Sequence, residues 1–287
     1  MHNFFAGAVC SYFVAMFGVP TSFFIPIKSS FIHAIRFGVG DQLLICFHGF
    51  GEEAAKFSAL QPSLGKLFTV VAIDLPFHGD TKWQEGALFL QEDLKVLILE
   101  ILKREGKERF SLLGYSLGGK IVLATIPHFP SLIDSVLLAA PDGVVVNAWY
   151  NVAVYPEWGR KLFKRFVVKP SFIFRVARML RFTGVLSESF FKFLQIQTNT
   201  EDKRRKVYNV WMTIKDFEVQ LQEVKDLLNR YHIKSYIFIG KYDKVITEKT
   251  GKKFVSGLHD CQYVLLEKGH NLITESLNEP LLQALKS

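Results

Sequence analysis

Residues 110–119 read FSLLGYSLGG and place a serine, Ser116, between an apolar run and a helical run. A sharp turn from strand to helix needs small residues beside the serine, and Gly114 and Gly118 stand two positions before and two after it. Such a turn holds the hydroxyl at a helix N-terminus, whose N–H groups favour developing negative charge. The stretch therefore predicts Ser116 as a nucleophile, against the plainer reading of a glycine-rich turn.

Short apolar runs alternate with longer amphipathic stretches on both sides of this turn. Strands that are apolar throughout are typical of a mostly parallel sheet covered on both faces. The predicted strands are Gln42–Phe47, Phe68–Ile73, Phe110–Leu113, Ser135–Ala139, Ser235–Ile239 and Gln262–Leu266. The predicted helices are Glu52–Leu67, Ala87–Arg104 and Leu117–Ile126. The pattern predicts an α/β fold with a mostly parallel central sheet and helices on both faces.

The alternation stops after Pro141 and resumes near Ile233, which predicts an inserted helical segment. We assign residues 22–142 and 233–287 to an α/β core and residues 143–232 to a helical, aromatic-rich lid. A helical apolar spacing runs from Trp211 to Leu228. We treat the lid as a subdomain, because no linker of low complexity separates it from the core.

The basic charge of the chain is concentrated in this segment. Residues 143–215 hold 14 basic and 4 acidic side chains, whereas the whole chain has a formal net charge of +8. An anionic membrane surface or an anionic substrate would suit such a patch, and solvated helix faces explain it equally well. No nucleic-acid motif accompanies the charge, so a nucleic-acid partner is not predicted.

Composition and cysteine count narrow the class of protein. Hydrophobic residues make up 49 % of the chain and charged residues 22 %, which excludes a disordered or collagen-like chain and allows a sizeable core. Cys10, Cys46 and Cys261 are odd in number and widely spaced, so they predict neither a disulfide framework nor a metal cluster. A reducing compartment is expected.

The N-terminus is unusually apolar, since no charged side chain stands between Phe4 and Ile27. This length is enough to cross a bilayer, but glycine and proline interrupt it and no basic residue precedes it, unlike a secretory signal. We interpret residues 1–21 as an apolar extension, either an anchor or a start that the working protein lacks. An inserted segment followed by Lys28 and Arg36 would leave the domain in the cytoplasm. A cytoplasmic protein, with membrane association as an alternative, is predicted.

Two polar residues follow the last two predicted strands. Asp243 stands in GKYDK and His270 stands in EKGHN. A serine nucleophile needs a base to accept its proton, and the base needs a third group to fix its tautomer. The chain order Ser, Asp, His suits a serine on such a turn. The sequence therefore predicts Ser116 as nucleophile, His270 as base and Asp243 as acid, although each of the last two alone could be a surface residue.

The motif FHGFG at residues 47–51 follows an early strand and predicts an oxyanion hole. Its donors would be the backbone N–H groups of Phe50 and Leu117, pointing at one spot beside the Ser116 hydroxyl. His48 is predicted to brace this loop by hydrogen bonding, next to Gly49, and not to act as the base.

From about Phe31 onward the chain resembles the α/β-hydrolase superfamily. The motifs CFHGFG, AIDLPFHGDT, LLGYSLGG, IGKYDKVI and EKGHN stand in the order that this family shows. The resemblance implies the roles given above for the nucleophile, base, acid and oxyanion donors. It also implies a structural loop at Asp74 and Gly79. Phe77 departs from the pattern, because relatives often carry glycine there.

The resemblance narrows the mechanism more than the substrate. Branches of the family that cleave haloalkanes or epoxides use an aspartate nucleophile, and Ser116 disfavours them. We expect a carboxylesterase-like serine hydrolase that cleaves a small or medium acyl ester or thioester through an acyl-serine intermediate, with no metal or organic cofactor.

Two alternatives stay open. The first is a lyase or carbon-carbon bond hydrolase that uses the same three residues on an anionic small acid. The second is a non-catalytic module that binds a membrane or a partner protein through the basic segment. Charge reversal of Arg204 and Arg205 would test this second alternative.

Overall fold

The computed structural model describes residues 19–86, 88–145, 148–186 and 188–286. The chain forms two compact units. The first comprises the described residues up to 84, residues 91–144 and those from 218 onward, and the second comprises residues 85–90 and 145–217. Residues 218–232 thus belong to the first unit, whereas the sequence predicts them to be part of the helical segment. That this segment acts as a lid stays a prediction.

An eight-stranded sheet forms the centre of the first unit. Its strands are β1 (Thr21–Ile27), β2 (Ser30–Phe37), β3 (Gln42–Phe47), β4 (Phe68–Ile73), β5 (Phe110–Tyr115), β6 (Ile133–Ala139), β7 (Lys234–Gly240) and β8 (Cys261–Leu266). The spatial order is β1-β2-β4-β3-β5-β6-β7-β8. The pairs from β4 to β8 are parallel, whereas β2 pairs antiparallel with both β1 and β4. The predicted α/β fold with a mostly parallel sheet is confirmed.

The helices are α1 (Gln61–Leu64), α2 (Gln91–Glu105), α3 (Leu117–Thr125), α4 (Ala148–Val154), α5 (Glu157–Val168), α6 (Ser171–Phe182), α7 (Glu188–Gln197), α8 (Glu201–Thr213), α9 (Leu221–Arg230), α10 (Glu248–Val255) and α11 (Asn278–Lys286). Helices α4 to α8 belong to the second unit. Strands β4 and β5 are buried at every position, because both faces of the sheet are covered. The predicted helix Glu52–Leu67 is a 3-10 helix, Ala54–Leu60, followed by α1.

Strands β1 and β2 are absent from the sequence-based assignment. The sequence predicts an apolar extension over residues 1–21, but Thr21 already begins β1, so the charge-free run ends inside the sheet. Pro26 is tolerated there because β1 is an edge strand, where a missing N–H costs no ladder hydrogen bond. Residues 1–18 lie outside the described residues. Within the described ranges, no helix combines the length and apolar character needed to span a bilayer.

The apolar spacing from Trp211 to Leu228 is divided between two helices. Helix α8 ends at Thr213 and α9 begins at Leu221, so the spacing from Trp211 to Leu228 does not form one continuous helix. Residues 214–216 form a turn, with the Phe217 N–H donating to the Ile214 carbonyl, and residues 217–220 are irregular. Apolar spacing alone could not reveal this break, because both helices and the link bury apolar side chains.

Arg204 is a structural residue of the second unit. Its side chain is buried, and the guanidinium donates to the carbonyls of Val167 at 2.7 Å and Thr198 at 3.1 Å. Its neighbour Arg205 pairs with Glu201 on the same helix. Charge reversal at Arg204 would therefore break the packing of the unit, and it is unsuitable as a test of surface binding.

Candidate active site

The link between β5 and α3 is a sharp turn with Ser116 at its apex. Ser116 has φ 49° and ψ −115°, a conformation that costs free energy for a residue with a side chain. Three backbone hydrogen bonds hold it there. The Ser116 N–H donates to the Ala139 carbonyl at 3.0 Å, and the Ser116 carbonyl accepts from Gly119 at 2.8 Å and Asp142 at 2.9 Å. The end of β6 thus fixes the turn.

Glycines allow the backbone to pack closely around this turn. A Cβ on Gly118 would lie 1.9 Å from the Phe47 carbonyl oxygen, at the end of β3. A Cβ on Gly114 would lie 2.7 Å from the Gly118 oxygen. A Cβ on Gly49 would be 3.0 Å from the Tyr115 ring. Any larger residue at Gly114 or Gly118 would have to displace backbone, so the turn requires glycine at both positions.

The structure brings Asp243 and His270 to the serine turn. The His270 Nε2 atom is 3.0 Å from Ser116 Oγ, and its Nδ1 atom is 2.7 Å from Asp243 Oδ2. Asp243 follows β7 and His270 follows β8, and these strands pair in parallel, so their carboxyl ends meet at one edge. Because a carboxylate only accepts hydrogen bonds, Nδ1 carries the proton and Nε2 faces the hydroxyl.

Asp243 is held more firmly than His270. Its second oxygen, Oδ1, accepts from the backbone N–H groups of Val245 at 2.7 Å and Ile246 at 2.9 Å. The Asp243 side chain is completely buried, whereas that of His270 is 28 % exposed. A fixed carboxylate behind a partly exposed imidazole sets the orientation of the ring and leaves its far side accessible.

Tyr115 is a supporting residue that the sequence analysis does not identify. Its hydroxyl donates to the His270 carbonyl at 3.2 Å, and the two rings lie 5.6 Å apart. Burial raises the pKa of Tyr115 above its ordinary value, with smaller contributions from Glu52 and Asp243. The phenol therefore remains a proton donor at neutral pH and ties the loop of His270 to strand β5.

Two buried histidines hold the loop that carries Phe50. His48 Nδ1 lies 2.7 Å from the Gly49 carbonyl, and its Nε2 accepts from the Leu75 N–H at 3.1 Å. His78 Nε2 accepts from the Gly51 N–H at 3.0 Å. Both nitrogens of His48 are thus engaged in bracing the loop, and the structure does not bring this ring to Ser116 Oγ.

The two predicted oxyanion donors lie at one edge of the sheet. Phe50 follows β3, and Leu117 begins α3 directly after Ser116. Strands β3 and β5 are parallel neighbours, so the peptides that follow them are close in space. The ring of Phe50 stands edge-on to His78, with centroids 5.9 Å apart.

Asp74 anchors the adjacent loop. Its carboxylate accepts from the Ala54 N–H at 2.6 Å and the Asp80 N–H at 3.0 Å, and lies 2.7 Å from His33 Nδ1. Burial acts to raise the pKa of Asp74, but these hydrogen bonds outweigh it and lower the pKa. A Cβ on Gly79 would lie 1.9 Å from Asp74 Oδ2, so this loop closes only around glycine.

Asp142 and Lys120 also lie beside the serine turn and are missed by the sequence analysis. The Asp142 carboxylate accepts from the Gly143 N–H at 2.8 Å. Burial raises the pKa of Asp142, opposed by that hydrogen bond and by the charges of Lys120 and His270. Burial lowers the pKa of Lys120. Asp142 could have been found from the sequence by its position, because it follows β6 just as Asp243 follows β7, at the same edge of the sheet.

The second unit contains an apolar cavity of its own, with a volume of about 210 Å³. Helices α4 to α8 contribute its walls, which include Trp149, Trp158 and Trp211. The lining is apolar except for Thr198, whose hydroxyl donates to the Leu194 carbonyl. Such a lining suits an aliphatic or aromatic group and offers no charged partner.

Sheet order, serine turn and the Asp–His pair after β7 and β8 define an α/β hydrolase. The family model for the alpha/beta hydrolase fold matches residues 42–276, so the chain belongs to this family. It is similar to the uncharacterized hydrolase YugF of Bacillus subtilis, with 31 % identity over 104 residues, covering 36 % of this chain and 38 % of that protein.

Two further similarities extend over more of the chain. The dihydrolipoyllysine-residue acetyltransferase component of the acetoin cleaving system of Pseudomonas putida is 25 % identical over 256 residues, covering 87 % of this chain and 65 % of that protein. The matched segments thus span less than two thirds of both curated relatives. The 2-hydroxy-6-oxo-6-phenylhexa-2,4-dienoate hydrolase of Rhodococcus sp. strain RHA1 shares the fold, with TM-score 0.63, 21 % identity and coverage of 94 % and 99 %.

Proposed function

We propose that this hydrolase of the alpha/beta fold cleaves a small or medium acyl ester or thioester through an acyl-Ser116 intermediate. One observation carries the proposal: an unbroken chain of hydrogen bonds runs from Ser116 Oγ through His270 to Asp243. A serine hydroxyl is a weak nucleophile, and a neutral imidazole within hydrogen-bond distance activates it by accepting its proton.

Acylation begins when Ser116 Oγ attacks the acyl carbon and His270 Nε2 accepts the hydroxyl proton. The carbonyl oxygen gains negative charge, which the backbone N–H groups of Phe50 and Leu117 would stabilise. Loss of one such donor typically costs about 3 kcal/mol of transition-state stabilisation. His270 then delivers the proton to the departing alcohol or thiol as the bond to the acyl carbon breaks.

Deacylation repeats these steps with water as the nucleophile. His270 accepts a proton from the water as its oxygen attacks the acyl carbon, and then returns the proton to Ser116 Oγ as the acid leaves. Asp243 stabilises the imidazolium in both halves and does not itself need to be protonated. The hydrogen bonds from the Val245 and Ile246 N–H groups hold the carboxylate in the same orientation throughout.

Two measurements test the proposal: hydrolysis of a panel of p-nitrophenyl esters and acyl thioesters, and covalent labelling by a fluorophosphonate probe of reactive serines. Wild-type protein should hydrolyse at least one class and should be labelled on the peptide that contains Ser116. Ser116→Ala should lose both properties. Ser131→Ala, which alters an exposed serine of the same unit, is the matched control and should retain both.

Two outcomes would replace the proposal with one of the alternatives. Serine-dependent turnover of a 2-hydroxy-6-oxo-dienoate, with no turnover of esters or thioesters, would indicate carbon-carbon bond hydrolysis. Absence of labelling and of turnover in the folded wild-type protein would indicate a non-catalytic binding module. Retention of full activity by Ser116→Ala would contradict the acyl-Ser116 mechanism directly.

A further inference from the structure

Helix α6 carries aromatic, aliphatic and cationic side chains on its outer face. Its sequence, SFIFRVARMLRF, contains three arginines and no acidic residue. Phe172 is 62 % exposed, Met179 is 61 % exposed and Phe182 is 93 % exposed. Positions 172, 175, 179 and 182 follow helical spacing, so Arg175 stands among these apolar side chains on one face.

The apolar residues of this outer face are not explained by the packing of the second unit. The opposite face of α6 is already used, because Val176 and Ala177 line the apolar cavity. A helix at the surface of a protein normally presents polar side chains on the face turned away from the core. Phe182, with almost its whole ring exposed, has little protein to contact. Apolar side chains clustered in this way mark an interaction surface.

The positive charge of α6 and of the segment around it indicates the kind of partner. Arg181 pairs with Glu188 at 3.0 Å and stacks on Phe191 at 4.8 Å. Among the described residues, neither Arg175 nor Arg178 has an acidic side chain within ion-pair distance. The surrounding segment, 145–217, holds 14 basic against 5 acidic residues. An anionic partner is therefore favoured by the whole unit.

We propose that the outer face of α6 docks on an anionic phospholipid bilayer. Arg175 and Arg178 would bind lipid phosphates, while Phe172, Met179 and Phe182 would enter the boundary between headgroups and acyl chains. A bilayer accepts protruding rings without a complementary groove, which suits a single convex helix. Association of two copies through α6 would bring their arginines face to face, and a nucleic acid offers no apolar phase for Met179 and Phe182.

Co-sedimentation of the full chain with vesicles tests this surface. Wild-type protein should bind equimolar phosphatidylglycerol and phosphatidylcholine vesicles more tightly than vesicles of phosphatidylcholine alone, and high salt should weaken the difference. Each basic residue near an anionic surface contributes about a fivefold gain in binding, so Arg175→Glu with Arg178→Glu should reduce binding by tenfold or more. Phe172→Ser with Phe182→Ser should also weaken it by about tenfold or more.

Matched controls lie on exposed positions of the first unit. Lys103→Glu with Lys249→Glu makes the same change of net charge, and Val96→Ser with Leu99→Ser removes exposed apolar side chains. Both control pairs should bind vesicles as the wild type does. Circular dichroism and thermal unfolding of every variant separate a lost surface from a lost fold. If an α6 pair fails to fold, Phe182→Trp read by quenching from brominated lipid replaces it.

Several results would overturn the proposal. Equal binding of the α6 variants and the controls would assign any membrane affinity to another part of the chain. Equal binding to neutral and anionic vesicles would remove the role of the arginines. A lipid-independent dimer that the α6 variants abolish would assign the face to self-association. Absence of quenching at Phe182→Trp in sedimented protein would show that this residue does not enter the bilayer.

Discussion

The two units of the chain use their residues in different ways. In the first unit, strained backbone and buried hydrogen-bonded carboxylates surround the serine turn. All non-glycine residues with positive φ in the described chain belong to the first unit. They are Lys28, Phe77, Ser116, Ala140 and His232. In the described part of the second unit, the residues with positive φ are both glycines, Gly86 and Gly184. The second unit has an apolar cavity, and its aromatic side chains Trp158, Phe172 and Phe182 are exposed.

This difference indicates where a substitution acts on chemistry and where it acts on packing. Around Ser116, atoms are fixed by contacts too short to accept another methyl group, as at Gly118. In the second unit, apolar character and positive charge matter more than the position of single atoms. Sensitivity to conservative substitutions should therefore be concentrated in the first unit.

The largest effect is expected from a carboxylate of the first unit. Asp243→Asn keeps the size of the side chain but favours the wrong tautomer of His270, so kcat for ester hydrolysis should fall by about 10⁴-fold. Asp202→Asn, an exposed residue of α8, is the matched change in the second unit and should leave kcat unchanged. Steady-state kinetics of both variants check this. If Asp243→Asn and Asp202→Asn have similar kcat values, the proposed difference between the two units is wrong.

The next largest effect is expected from substitution of Asp74, which should change the free energy of unfolding. Asp74→Ala removes the partner of the Ala54 and Asp80 N–H groups and of His33, and should lower the free energy of unfolding by about 3 kcal/mol. Urea denaturation at neutral pH measures it. Because the folded state lowers the pKa of Asp74, its contribution is present above the ordinary carboxyl pKa and is lost as pH falls below it.

The Asp74 variant should therefore lose part of the acid dependence of unfolding that the wild type shows. An exposed carboxylate supplies the control, and Asp41→Ala should leave both stability and its pH dependence nearly unchanged. A wild-type stability that is flat between neutral pH and the ordinary carboxyl pKa agrees with this account. Equal stability of the two variants at neutral pH contradicts it.

A paired alanine-to-leucine substitution compares the packing of the two units directly. Ala139 is buried at the end of β6, and Leu there should overpack the sheet and cost about 1–3 kcal/mol. Ala177 lines the cavity, and Leu there should fill space and stabilise the second unit by about 1 kcal/mol. Hydrogen exchange, followed peptide by peptide, assigns each change to its unit. Destabilisation by Ala177→Leu would show that this cavity has no room for added methyl groups.

The residues of the candidate site that sequence reasoning could identify are those at strand ends. Ser116, Asp243 and His270 follow apolar runs, and the parallel sheet brings those run ends to one edge. Tyr115 and Asp142 also stand at or just after strand ends, but their roles could not be predicted, because their contacts depend on burial and on loops that no local pattern specifies. Strand β1 is not predicted for a local reason, since Pro26 interrupts a run that otherwise resembles a strand.

The smallest effect is expected from backbone strain that lies away from the chemistry. Phe77 has φ 65°, where a residue with a side chain pays about 1–2 kcal/mol. Phe77→Gly relieves that strain, but the added freedom of the unfolded chain costs about 0.5–1 kcal/mol. The half-buried Phe77 ring also loses its contacts, which offsets part of the stabilisation that is left. The net change should be a stabilisation of less than about 1 kcal/mol.

Gly184 is the matched position in the second unit. It has φ 76°, and a Cβ there would meet no atom within 4 Å, so Gly184→Ala reports backbone conformation alone. It should destabilise the second unit by about 1 kcal/mol, opposite in sign to Phe77→Gly. Thermal unfolding combined with hydrogen exchange measures both. If the two substitutions change stability in the same direction, positive φ is not the property that sets the free energy of these turns, and the strain assigned to the first unit would need another cause.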